Sequence, residues 1–156
     1  MTLERLDAET LQQHRSRLLA IQETTPARWG GMDAARMICH LRAVFEMSLG
    51  EIEVPRLISP LIGKPLGLFV FYALPRLPRR RKGSSTPIPV LCPAPDLPFA
   101  EEVERLLAAM ERFVTRLGTA AEAEAVHPIL GSTSMKVWSR VHAVHCLHHE
   151  RQFGLA

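Results

Sequence analysis

Trp138-Ser139-Arg140-Val141-His142-Ala143-Val144-His145-Cys146-Leu147-His148-His149-Glu150-Arg151-Gln152 lies in the last helix-forming stretch of the chain. At about 100° per residue, Trp138, Val141, His145, His148, His149 and Gln152 gather on one side. Residues three or four apart share a helical face, so His145 pairs naturally with His149 or with His148. Neutral imidazole is the commonest metal-ligating side chain. The stretch therefore reads either as half of a metal site or as a histidine-rich core helix. His142 falls at the edge of the arc and, with His14 of the first helix, is expected at the surface. Cys146 falls outside the arc, and Glu150 projects away from it, which makes it a poor general base.

Working outward, Thr133 or Ser134 caps this helix, which runs to Phe153 before Gly154. Residues 119–132 form a connection ending in His127-Pro128-Ile129-Leu130-Gly131, with His127 expected as a turn residue within reach of the site. Phe99 to Leu117 is a third long helix, stopped by Gly118. Glu101, Glu102 and Glu104 sit in its first turn, where the helix dipole favours them. The second helix starts at an Asp33 cap and runs to Leu49, with Gly50 as its stop. Its apolar face carries Met37, Leu41, Val44 and Phe45, and His40 lies in the middle of that face. The first helix spans Ala8 to Gln22, closed by Thr24-Thr25-Pro26. Trp29-Gly30-Gly31-Met32 is a turn.

Four amphipathic helices and no convincing strands make an all-α protein, a four-helix bundle in a single domain over residues 1–156. A long proline-rich connection joins the second and third long helices. Seven prolines between residues 75 and 98 exclude a long helix or central strand there. The apolar run Leu57 to Leu74 is broken by Pro60, Gly63, Lys64, Pro65 and Gly67. It is too short to span a bilayer, which takes about 20 residues, and is expected to be buried. A membrane-surface role is the minority alternative, kept open by Arg79, Arg80, Arg81 and Lys82 nearby.

The chain has 156 residues, 47% of them hydrophobic, and a net charge of +3. The Arg79–Lys82 cluster alone accounts for that sign, so no broad basic face points to nucleic acid. The start, Met1-Thr2-Leu3-Glu4-Arg5, lacks the apolar run of a signal peptide. Three cysteines (Cys39, Cys92 and Cys146) form no metal-type spacing. A reducing, cytoplasmic setting is expected. Cys39 and Cys146 point about 100° away from the neighbouring histidines and are expected to serve packing.

His40 from one helix and a histidine pair from another supply three nitrogens. That is the ligand count of an open, catalytic-type site with one position left for water or substrate. No nucleophile triad, phosphate-binding glycine loop or HExxH motif is present, and the sequence names no catalytic residue.

A histidine on the second of four helices and H-x-x-H-H-x-x-Q on the last resemble the DinB/YfiT-like metalloenzyme superfamily. The motif is His145-Cys146-Leu147-His148-His149-Glu150-Arg151-Gln152. The chain looks most like an uncharacterised bacterial branch of it, a domain of unknown function. Pro26-Ala27-Arg28-Trp29-Gly30-Gly31-Met32, Met37-Ile38-Cys39-His40 and His127-Pro128-Ile129-Leu130-Gly131 carry that likeness. The resemblance implies a divalent metal ion, nickel or zinc first and iron or manganese as alternatives, held by His40, His145 and His149. His148 and Gln152 match neighbouring motif positions and would orient the ligands. The usual superfamily ending is His-His-Arg-Gly-Gln; here Glu150-Arg151 stands in place of Arg-Gly. Relatives elsewhere in the superfamily act on low-molecular-weight thiols, and dimers are common. The resemblance thus implies a metal-dependent thiol transferase or hydrolase of unknown small-molecule substrate. The competing reading is a non-enzymatic helical module that binds a small molecule or a protein.

Overall fold

The computed structural model describes residues 5–57, 59–73, 77 and 88–156. The Arg79–Lys82 cluster and half of the proline-rich stretch lie outside the described residues. The protein is mostly helical, with one small antiparallel sheet.

Helix α1 (Ala8–Leu19) opens on a reciprocal cap. Asp7 accepts the Thr10 backbone N–H at 2.9 Å, and the Asp7 backbone N–H reaches the Thr10 hydroxyl at 3.0 Å. It ends a turn earlier than the apolar pattern suggests. Helix α2 (Ala34–Leu49) has the expected bounds: Asp33 accepts the Arg36 N–H at 2.8 Å, and Gly50 takes the left-handed conformation at φ 78°. Helix α3 (Pro60–Leu68) continues into a π-helical turn, Phe69–Ala73. A 3-10 turn, Pro89–Leu91, precedes helix α4 (Phe99–Thr119), which runs through Gly118 rather than stopping there. Helix α5 spans Met135–Gln152 with Ser134 at its start.

Residues 119–132 were expected to be a plain connection, but strand β1 (Glu124–His127) pairs there with strand β2 (Gly131–Ser134). His127 faces Gly131 across the hairpin, and Glu124 faces Ser134. The turn is held from within. Nδ1 of His127 accepts the backbone N–H groups of Ile129 and Leu130, both at 3.1 Å, and Gly131 supplies φ 73°. A double acceptor must be unprotonated, so His127 carries its proton on Nε2.

The core lies where α2, α4 and α5 meet. Phe45, Phe113 and Trp138 are fully buried. Between them sits His142, 1% exposed and stacked on Phe45 at 3.8 Å with an interplanar angle of 7°. The surface position expected for His142 is therefore overturned. Its Nε2 lies 2.8 Å from the Ser48 hydroxyl, which in turn donates to the Phe45 carbonyl. That hydroxyl's proton is committed, so His142 donates to it.

His14 is also buried, not exposed as expected. Its Nδ1 meets the Glu150 carboxylate, whose other oxygen accepts from Arg17 at 2.8 Å. Glu150 thus points toward α1. The cause of both corrections is the same: α5 is buried on most of its circumference. Met135, Ser139, Cys146 and Glu150 are covered as well as Trp138 and His149, so a single inward arc underestimates what packing hides.

The run after Leu57 corrects a third expectation. Leu61, Ile62, Leu66 and Phe69 are exposed rather than buried. The buried positions of α3 are its glycines, Gly63 and Gly67. No helix among the described residues is long and apolar enough to cross a membrane.

Candidate metal centre

α2 and α5 bring His40, His145 and His149 together. The Nε2 atoms of His40 and His145 are 3.1 Å apart, as are those of His145 and His149. One nitrogen from each of the three lies within 4.8 Å of the others, a grouping that could hold a metal ion. His40 and His145 are half-buried and His149 is buried.

The hydrogen bonds around the rings decide where their protons sit. Nδ1 of His40 lies 2.5 Å from the Leu91 carbonyl, which can only accept. The proton is therefore on Nδ1, and Nε2 presents a lone pair. His149 is fixed by a longer chain. The Gln152 amide donates to the Trp29 carbonyl at 2.8 Å, which turns its oxygen toward Nδ1 of His149, also at 2.8 Å. Nδ1 of His149 must then donate, and its Nε2 is again a lone pair. Nε2 of His145 faces both. With at most one proton to give, it leaves at least one of the two facing lone pairs without a donor.

Charge does not relieve the crowding. Burial first, then the His149 and His40 imidazoles, holds His145 well below the ordinary histidine range. Burial, with His40 and His148 adding to it, does the same to His149. Both are neutral at neutral pH, the form that ligates metal. Imidazole nitrogens bound to one tetrahedral ion at 2.0–2.1 Å lie about 3.3 Å apart, close to the 3.1 Å of the His40–His145 and His145–His149 pairs, with all three nitrogens inside 4.8 Å. The donor set therefore fits a divalent ion.

His148 is not in the cluster. It is half-buried and stands edge-on to His149 at 5.1 Å and to Trp29 at 6.1 Å. The i, i+4 pair converges and the i, i+3 pair does not. His127 packs between Phe71 and Trp138 and also stays out of the cluster. Gln152 lies where an orienting residue belongs. Glu150 faces α1 and puts no carboxylate in the cluster.

Cys39 and Cys146 are fully buried. Burial, then Glu102, pushes the Cys39 thiol up to about 11, and burial, then Glu150, raises Cys146 well above its usual value. Both stay thiols, in keeping with packing. Three contributors escaped the sequence reading: the Leu91 and Trp29 carbonyls, and Cys92, whose sulfur lies 3.5 Å from Nδ1 of His40. Backbone carbonyls leave no residue-type signal. The only hint at Cys92 was its place at the end of the proline-rich stretch.

Fold and cluster together define a mostly helical protein with a three-histidine group able to hold a metal ion. The chain belongs to the DUF1569 family, described as a protein of unknown function, whose family model matches residues 1–154. No curated protein and no solved structure matches it.

Proposed function

We propose that this protein is a mononuclear metalloenzyme of the DinB-like four-helix type, with His40, His145 and His149 as the ligands. One observation carries the reading: two Nε2 lone pairs, fixed by outer hydrogen bonds, converge on a third neutral imidazole nitrogen. Such an arrangement is unfavourable alone and favourable around a cation. Leu91 and the Gln152–Trp29 relay hold the rings in the ligating tautomer, and His148 borders the cluster beside Trp29.

A divalent ion held there, nickel or zinc in the first instance, would supply Lewis acidity that lowers the pKa of a thiol or water brought to its open side. The chain's own part is to keep three donors aimed, with His145 and His149 held neutral by burial. The reaction class that fits is transfer or hydrolysis with a small electrophile, with a low-molecular-weight thiol as the leading nucleophile. A homodimer is the expected assembly.

Metal analysis of protein reconstituted with each divalent ion tests the ligand set. One equivalent of metal in the wild type, lost in His145→Ala, is the expected outcome. A wild type without stoichiometric metal, or a His145→Ala that keeps it, removes the proposal. Thiol consumption by metal-loaded protein, absent from the apo form, separates the enzyme from a binding module.

A further inference from the structure

Helix α3 is inside out. Its small residues, Gly63 and Gly67, face the body of the protein, while Leu61 is 88% exposed, Ile62 65% and Phe69 57%. The seat is tight. A Cβ added at Gly67 would meet Leu130 Cδ2 at 2.3 Å. The segment is also pinned at both ends. The Leu57 N–H donates to the Pro128 carbonyl at 2.9 Å, and Arg140 Nε donates to the Phe71 carbonyl at 2.9 Å. Rotating α3 to hide its leucines would drive large side chains into a place shaped for glycine.

Charge marks the same region. Residues 54–95 contain seven Lys/Arg and no Asp/Glu. The rest of the chain holds twelve cations and sixteen acids, and is net −4 although the whole is +3. Arg56 and Lys64 are exposed beside the outward leucines. A partner for this face must therefore be apolar at its surface and negatively charged beside Arg56 and Lys64. A second copy meeting it two-fold would set like charge against like charge. An anionic bilayer offers the needed combination, acyl chains beneath negative headgroups. At nine residues α3 is too short to span, but suited to lie in the interface.

We propose that the outward face of α3 and the π-helical turn docks in the plane of an anionic lipid surface. The docking is independent of the metal site. The test is sedimentation of the full-length protein with vesicles of phosphatidylcholine alone, or of phosphatidylcholine mixed equally with phosphatidylglycerol. The wild type should bind the anionic vesicles at least about tenfold more strongly, and lose that preference at high salt. The double variant Leu61→Glu, Phe69→Glu should lose binding while keeping its melting temperature and metal content, since both side chains are exposed. Arg56→Gln and Lys64→Gln should each weaken binding by about fivefold. Equal binding to both vesicle types, or none, overturns the proposal. So does a dimer in sedimentation velocity that Leu61→Glu, Phe69→Glu converts to monomer without any vesicle binding, which would make the face an interface between copies.

Discussion

His142 and His145 stand one turn apart on α5 and have opposite surroundings. His142 is wrapped in aromatic rings, stacked on Phe45 and Trp138, and its ring proton goes to Ser48. His145 faces the His40 and His149 imidazoles, with nitrogens at 3.1 Å on two sides. Burial does not separate the two, since it holds both well below the usual histidine range. Partner accounting does. A structural histidine finds a donor for each acceptor, whereas a ligating one is left facing lone pairs that only a cation satisfies.

The largest effect that would test this contrast is at His142. His142→Ala removes a ring from the centre of the core and should cost about 3–5 kcal/mol, as deletion of a buried aromatic side chain does. His142→Phe keeps the stack and should lose about 1 kcal/mol with the Ser48 bond. Urea unfolding checks both, and the folded fraction of each should still take up metal. A His142→Ala protein of normal stability would break the comparison.

At His145 the signs reverse. His145→Ala should lower metal affinity by more than about 100-fold, beyond what loss of an outer partner does. The apo protein should melt no lower than wild type, because the substitution relieves lone-pair crowding. Calorimetric titration and thermal unfolding of the same samples measure the two together.

His127 sharpens the structural side through pH. Burial holds its pKa to about 4 against the usual 6.5. As pH falls below 6.5 the unfolded chain takes up the proton first, so stability is flat above 6.5 and declines from there to about 4. The full loss from this one group is about 3 kcal/mol. His127→Asn keeps an acceptor for the Ile129 and Leu130 N–H groups without a titrating ring. Unfolding free energies at pH 7 and near pH 4 should differ less in that variant. An unchanged difference would place the acid sensitivity elsewhere.

The smallest effect belongs to Gln152. Gln152→Ala frees the His149 ring without removing a ligand and should cost about 10–100-fold in metal affinity. An unchanged affinity would show that the ring is held by packing alone.

The long helices were legible because their ends and faces are written locally. Asp33 and Gly50 bound α2, and the spacing of His145 and His149 puts both on one face of α5. The Glu124–Ser134 hairpin was not, since two four-residue strands carry little periodic signal and depend on a turn that His127 organises. His14 lies on α1, outside the helical wheel of α5, which put His145 inward but His142 at the surface. The wheel assumes one buried face, and α5 is packed nearly all round. Leu91 supports His40 from 51 positions away, a relation no local pattern encodes. The apolar run at α3 misled for a simpler reason. Hydropathy reports what a side chain prefers, while the glycines at Gly63 and Gly67 determine which side can approach the body.

The supports behind the cluster have one more consequence, in net charge. Leu91 and Trp29 contribute carbonyls and Gln152 an amide, all uncharged, and an imidazole that ligates a metal through a lone pair adds no charge of its own. The grouping includes no carboxylate or thiolate among the described residues. A dication in the proposed site would therefore keep its full double charge. A molecule completing such a site would be selected first for being an anion, and only afterwards for its shape.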